Sequence, residues 1–423
     1  MELNRRTFVL GSTAGLVALA ARRAAADANS TVVLALMGAN NRGSQLATGF
    51  AKLKGVEFAY VCDPDERAIA KGIAAATSAG GRRPQGMKDF RKALDDPAVD
   101  GLVCAAPNHW HATATILACA AGKHVYVEKP CSQTPEEGER MIAAARTSSR
   151  VVQVGTQRRS GPLFREAIER VHNGEIGDVR LAKGWYYDDR PSIGHGKPSD
   201  PPAWLDYNLW QGPAPEQPYR DNILHYNWHF FWHWGNGEIG NNGVHTVDLC
   251  RWALGTDFPT RVTAVGGRYK FNDDQQTPDT LTATWECDGK MLQWEGLSWS
   301  RSLAPMRGVG IELRGSKGSM LIDDAGCSTF DPAGKLVGKT GGSRGDAEHL
   351  QNFLNAIHGN AHVNASVEDG HKSALMCHLA NISYRTGRPV EVDAKTGRIR
   401  DSATASNYWQ RAYRSGWLPG GVS

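Results

Sequence analysis

From Thr31 onward, short runs of apolar residues alternate with longer stretches in which apolar positions recur at helical spacing. The runs Thr31–Met37, Val56–Cys62, Val99–Cys104 and His124–Val127 are apolar on both faces, so they predict strands covered on both sides. Between them, Gly43–Leu53, His109–Ala120 and Pro135–Ala145 predict helices. Strand–helix alternation of this kind predicts a parallel, doubly wound α/β sheet. After residue 150 the pattern changes. Val179–Tyr187, Arg261–Phe271, Thr280–Cys287, Met291–Ser298 and Gly308–Arg314 have alternating or β-rich composition, and Asp346–His358 and Ser366–Arg385 read as helices.

The N-terminus follows neither pattern. Asn4-Arg5-Arg6-Thr7-Phe8-Val9 leads into an apolar stretch of about thirteen residues, Phe8 to Ala20, followed by Arg22-Arg23 and the small residues Ala24–Ala26. The stretch is short of the ~20 residues that span a bilayer. It resembles a twin-arginine export signal over residues 1–28, which implies an exported, periplasmic protein delivered by the twin-arginine machinery and free of the membrane once processed.

Composition narrows the rest. The chain has 423 residues, enough for two domains, with 41% hydrophobic and 22% charged residues. A net charge of +4 with scattered basic residues excludes the clustered basic face that nucleic acid requires. The eight cysteines are dispersed without a C-x-x-C pair, which points to core thiols and not to disulfides or zinc.

Three turns lie where parallel sheets bind ligands, at strand C-terminal ends. The first, Gly38-Ala39-Asn40-Asn41-Arg42-Gly43, has the spacing of G-x-G-x-x-G with Asn40 at the second glycine. Gly38 allows the tight turn, Gly43 allows close helix packing, and Asn40 is expected there because Asn tolerates left-handed backbone angles. The following helix N-terminus would face a pyrophosphate. Asp63, ending the next strand, is suited to ribose hydroxyls and repels a 2′-phosphate, favouring NAD over NADP, a preference Arg42 could offset. The second turn contributes Asn108 and His111, and the third is Glu128-Lys129-Pro130, which places a lysine beside the nicotinamide.

These turns, together with Gly240-Asn241-Asn242-Gly243-Val244-His245-Thr246-Val247-Asp248, resemble the glucose–fructose oxidoreductase / inositol dehydrogenase (Gfo/Idh/MocA) family over roughly residues 31–390. The resemblance implies an N-terminal Rossmann domain (29–150), a second α/β domain with an open, mainly antiparallel sheet (151–390), a C-terminal tail (391–423), and a homo-oligomer formed through the outer sheet face. It also implies His245 as acid/base and Lys129 as its polarising or proton-sharing partner. Asn241 departs from the aspartate common in the family four residues before the histidine. It can hydrogen-bond a substrate but supplies no charge to strengthen a base.

Further substrate contacts are expected from Tyr187 and Asp188 at a strand end, and from His229 and Trp232 in the stretch Trp228–Trp234, since sugars stack on aromatic rings. His225, His229 and His233 recur every four residues, but with no matching carboxylate they do not make a metal site. The expected activity is oxidation or reduction of a small sugar or sugar derivative by a tightly bound, internally recycled dinucleotide. A redox-neutral, NAD-dependent glycoside hydrolase and a non-catalytic sugar-binding protein are the alternatives.

Overall fold

The computed structural model describes residues 31–301 and 308–417. The expected export signal, residues 1–28, lies outside the described residues.

Six parallel strands form the first sheet: β1 (Val32–Met37), β2 (Val56–Cys62), β3 (Gln85–Met87), β4 (Gly101–Cys104), β5 (His124–Val127) and β6 (Val152–Val154), in the order β3-β2-β1-β4-β5-β6. Alternate residues of β1 enter opposite cores. Leu34 and Leu36 meet Phe50 of helix Asn41–Ala51 and Phe353 of helix Asp346–Ile357. Ala35 and Met37 share a core with Ile116 and Met141 of the helices Asn108–Ala120 and Pro135–Ser148. Burial on both faces explains why these strands are apolar throughout. The order reverses between β1 and β4, so a crevice opens at their C-terminal ends. The sheet runs past residue 150 to Val154, and helix Asp346–Ile357 returns to cover it.

The second sheet has nine strands. In chain order they are β7 (Val179–Tyr187), β8 (Arg261–Gly267), β9 (Thr280–Cys287), β10 (Lys290–Leu297), β11 (Val309–Gly315), β12 (Gly318–Asp323), β13 (Gly326–Phe330), β14 (Leu336–Thr340) and β15 (Val390–Glu391). They lie in the order β14-β13-β12-β11-β7-β10-β9-β8-β15, and only β7–β10 is parallel. One face, carrying Trp285, Trp294, Ile311 and Leu313, packs on the helices Pro162–His172, Val244–Leu254 and Val367–Thr386. All eight cysteines are buried and unpaired, as small core residues. No helix among the described residues is long and apolar enough to cross a membrane.

A buried ionic network fixes the helix Val244–Leu254. Asp248 accepts from Arg159 Nε at 3.0 and 2.8 Å and from Ser373 Oγ at 2.6 Å. Arg251, one turn on, donates to Ser373 Oγ and to Asp369 Oδ1. The carboxylate of Asp248 thus binds a turn that follows the first sheet to two helices of the second domain. Removing one partner strands a buried charge, a loss of about 3–5 kcal/mol. Asp248→Ala should therefore lower unfolding stability by roughly that amount in chemical denaturation, whereas a loss below ~1 kcal/mol would show that the network carries no such weight.

Candidate active site

At the end of β1 the chain turns at Gly38, φ +81°, where a Cβ would lie 2.5 Å from the Ala106 amide nitrogen. A Cβ on Gly43 would lie 1.8 Å from the Gly38 carbonyl oxygen. Both glycines are therefore required by close backbone approach. Asn40 differs from expectation: its φ is −76°, so its tolerance of left-handed angles is not used. Its Oδ1 accepts from Lys71 Nζ at 3.0 Å, and Asn41 Oδ1 lies 3.5 Å from the same ammonium. Helix Asn41–Ala51 starts with no side-chain cap and no acidic residue in its first turn. Its end is an uncompensated positive dipole at the groove, a cradle suited to a pyrophosphate.

Asp63 is buried beside this turn. Its carboxylate accepts from the amides of Ala39 (2.7 Å) and Asp65 (2.9 Å), and burial, partly offset by these bonds, pushes its pKa up to about 6. It is anionic at neutral pH and lines the groove. Arg42 is committed elsewhere. Its Nε donates to Glu128 Oε1 at 2.8 Å, so its charge is met by Glu128 and is a weak counterweight to Asp63.

The other two turns are tied together by His111. Its Nδ1 lies 2.6 Å from the Pro130 carbonyl and its Nε2 2.7 Å from the Ala106 carbonyl, so neither ring nitrogen is free for a ligand. His111 lines the groove where a cofactor contact is expected, and it also braces the two turns. Asn108 turns its amide into the second domain, donating to Asn236 Oδ1 at 2.9 Å, while still lining the groove. Glu128 also accepts from the Lys129 amide, leaving it as the anion that orients this turn.

Lys129 reaches across the domain junction. Its Nζ donates to the carbonyl of Asn241 at 2.8 Å and to Asn241 Oδ1 at 3.2 Å. Burial holds its pKa below the usual lysine value, opposed by the charge of Glu128. Asn241 belongs to a π-helical turn, Ile239–Gly243, that precedes helix Val244–Leu254. Such turns mark functional sites frequently. The Asn241 amide donates in turn to Tyr226 Oη at 3.1 Å, leaving that hydroxyl proton free for a ligand. Tyr226 was not singled out in the sequence. Its signal, a tyrosine inside the aromatic stretch before the Asn241 turn, could have suggested it.

His245 lies one helical turn beyond Asn241. It is half-buried, does not line the groove, and its Nδ1 is buried without a partner. Burial and then the charge of Lys129 hold its pKa well below the ordinary histidine value, and Arg158 and Arg42 act in the same direction. A neutral imidazole among cations is a poor proton acceptor.

The groove, about 400 Å³, is roofed by the segment after β7. Trp210, Tyr219, Trp228 and Trp234 form a separate aromatic cluster there. The segment is fastened to the first domain by His225 Nε2 on Asp65 Oδ2 at 2.7 Å and by Trp110 Nε1 on the Trp210 carbonyl at 2.8 Å. His229 lines the groove, stacked on Trp228 with ring centroids 3.6 Å apart. Trp232 does not line it but opens into a second cavity. Tyr187 and Asp188 do not reach it either. Tyr187 Oη donates to Glu295 at 2.7 Å, and Asp188 accepts from Tyr186 at 2.9 Å, so both expected substrate contacts are corrected to sheet-end structure. The three histidines disperse because this segment is no continuous helix. His225 meets Asp65, His229 the Tyr226 carbonyl and His233 the Pro215 carbonyl. No group of metal-ligating side chains occurs among the described residues.

Two family models match the chain. Residues 32–156 match an oxidoreductase family with an NAD-binding Rossmann fold, and residues 164–321 match the GFO/IDH/MocA C-terminal domain. Inositol 2-dehydrogenase 2 of Saccharopolyspora erythraea is 26% identical over 84% of this chain and 93% of its own. A glycosyl hydrolase family 109 protein of the same organism is 31% identical over 38% of this chain and 36% of its own. The chain spans less than half the length of this and another of the curated relatives it matches. Among solved structures, a levoglucosan dehydrogenase in complex with NADH superposes with a TM-score of 0.67 over 86% of this chain and all of that one, at 20% identity, a likeness of fold.

Asp63 generates one prediction. Asp63→Asn removes the charge that opposes a 2′-phosphate, so the preference for NAD over NADP should fall by roughly tenfold (~1.4 kcal/mol) in equilibrium binding. Because its carboxyl takes up a proton below about pH 6, the wild-type preference should also fade there. An unchanged ratio in the variant would remove Asp63 from discrimination.

Proposed function

Since the chain belongs to the Gfo/Idh/MocA family, we propose that it is a dinucleotide-dependent oxidoreductase acting on a sugar or sugar derivative, with Lys129 as the proton-transferring group. The observation that carries this reading is the half-buried Lys129 ammonium in the groove of the Gly38–Gly43 turn, held from the second domain by Asn241. When bound, the dinucleotide supplies the hydride acceptor or donor. The remaining work is done by the chain. Oxidising a secondary alcohol requires removal of its hydroxyl proton, and an amine whose pKa is lowered by burial is free to take that proton at a lower pH than ordinary lysine. Its protonated form stabilises an alkoxide oxygen. Tyr226 Oη and the Asn241 amide are placed to hold further hydroxyls. The stacked Trp228–His229 pair offers a flat face to ring C–H groups, and burial keeps His229 neutral by pushing its pKa down to about 3. His245, one turn beyond Asn241 and with its pKa held low by burial, is not given the proton-transfer role.

NAD is the favoured dinucleotide, on the charge of Asp63. The aromatic roof and its Asp65–His225 fastening support a resident cofactor, and the arginine pair near the N-terminus supports export by the twin-arginine route. An exported enzyme meets no dependable pool of free dinucleotide, so the cofactor is regenerated within the cycle by a second sugar. The open face of the nine-stranded sheet, where Val265 is exposed, supports a homo-oligomer. A second reading, a redox-neutral glycosidase, is favoured by the likeness to the family 109 protein. Offering aryl glycosides and free sugars to the protein as purified separates the two. Aglycone release without coupled sugar oxidation would replace the first reading with the second.

Lys129→Met should lower kcat by ~10²–10⁴-fold with dinucleotide affinity nearly unchanged, whereas His245→Ala should lose far less. In the wild type, kcat/KM should rise with pH through a group titrating below 10.5, since only the free amine accepts the proton. Asn241→Asp adds a negative charge next to the ammonium, raises its pKa, and should move that limb to higher pH. A limb that persists unmoved in Asn241→Asp, or a Lys129→Met enzyme of near-normal rate, would contradict the assignment.

A further inference from the structure

A second cavity, about 300 Å³, lies behind the groove, where the start of helix Pro135–Ser148, the aromatic segment, the helix Val367–Thr386 and the C-terminal tail meet. Its chemistry differs from that of the groove. No aspartate or glutamate lines it among the described residues, yet two arginines do. Arg411 is satisfied, donating to Glu137 and Gln133 at 2.7 Å each. Arg385 is not. Among the described residues its guanidinium has no carboxylate within ion-pair distance and no hydrogen-bond partner. It lies beside two rings, 4.9 Å from the centroid of Trp232 and 4.6 Å from that of Tyr408.

A guanidinium beside aromatic rings keeps at its edge the fork of N–H groups that pairs with two coplanar oxygens. The residue remains open to solvent, so this edge is accessible. His378 adds no charge, since burial pushes its pKa down to about 3.

We propose that this cavity is a second binding site, for a small polar carboxylate of aldonate size, whose carboxylate pairs with the edge of Arg385. The site shares a wall with the groove. Asn236 lines the cavity, and its Oδ1 accepts from Asn108, which lines the groove.

Calorimetric titration of the full chain, with its dinucleotide bound, tests this without any turnover. D-gluconate should bind saturably at one site per chain, and uncharged D-sorbitol should not. Arg385→Gln should weaken gluconate binding roughly tenfold or more, the worth of a charge-assisted pair, and Arg385→Lys, which keeps the charge but loses the fork, should fall between. Trp232→Leu, on the half-exposed rim, provides a second variant with weakened binding if Arg385→Gln does not fold. The proposal is overturned if gluconate shows no saturation, if inorganic phosphate binds as tightly, if folded Arg385 variants bind as well as wild type, or if added dinucleotide displaces gluconate.

Discussion

The Lys129 ammonium lies on one domain and both of its hydrogen-bond acceptors on the other. Lys129 is the second residue beyond β5, at the crevice of the parallel sheet, and Asn241 sits in the π-helical turn that precedes a helix of the second domain. That single side chain therefore needs both domains in register. Much of the surrounding polar structure serves this register. Glu128, neutralised by Arg42, orients the lysine turn from below. His111 braces it against the neighbouring turn. Arg159 and Asp248 lock the helix that follows the Asn241 turn.

Charge around the lysine is distributed so that the amine remains available. A carboxylate in direct contact would raise its pKa, and the contact position holds an amide instead, with Glu128 committed to Arg42. Burial, and after it the same cationic surroundings, hold the His245 pKa well below the ordinary histidine value. On the proposed reading, the amide of Asn241 at the position that contacts the ammonium leaves proton transfer to Lys129. The aromatic segment completes the site by turning an open crevice into a roofed groove.

The parallel sheet was legible because its strands are apolar on both faces, and β2 and β5 agree residue for residue with the expected ranges. The glycine turn was legible for the same reason that it exists: contacts of 2.5 and 1.8 Å leave no room for a Cβ. What escaped were features set by tertiary contact. Helix Pro162–His172 and strands β12 to β14 were not drawn from the pattern. The aromatic segment read as one stripe, but its short 3-10 turn at Asn227–Phe230 sends Trp228 and His229 into the groove and Trp232 away from it. Tyr187 and Asp188 sit at a strand end that points to Glu295 and Tyr186, which no local pattern discloses. Asn40 was assigned a backbone role and has a side-chain role instead.

Burial at the domain junction, with no carboxylate in contact, leaves Lys129 holding its proton more weakly than an ordinary lysine does. Direct titration of its side chain is the most pointed test. With lysines labelled at Cε, the resonance lost in Lys129→Arg identifies the group, and its chemical shift can be followed with pH. The account predicts a midpoint below 10.5. A midpoint at or above 10.5 would contradict it.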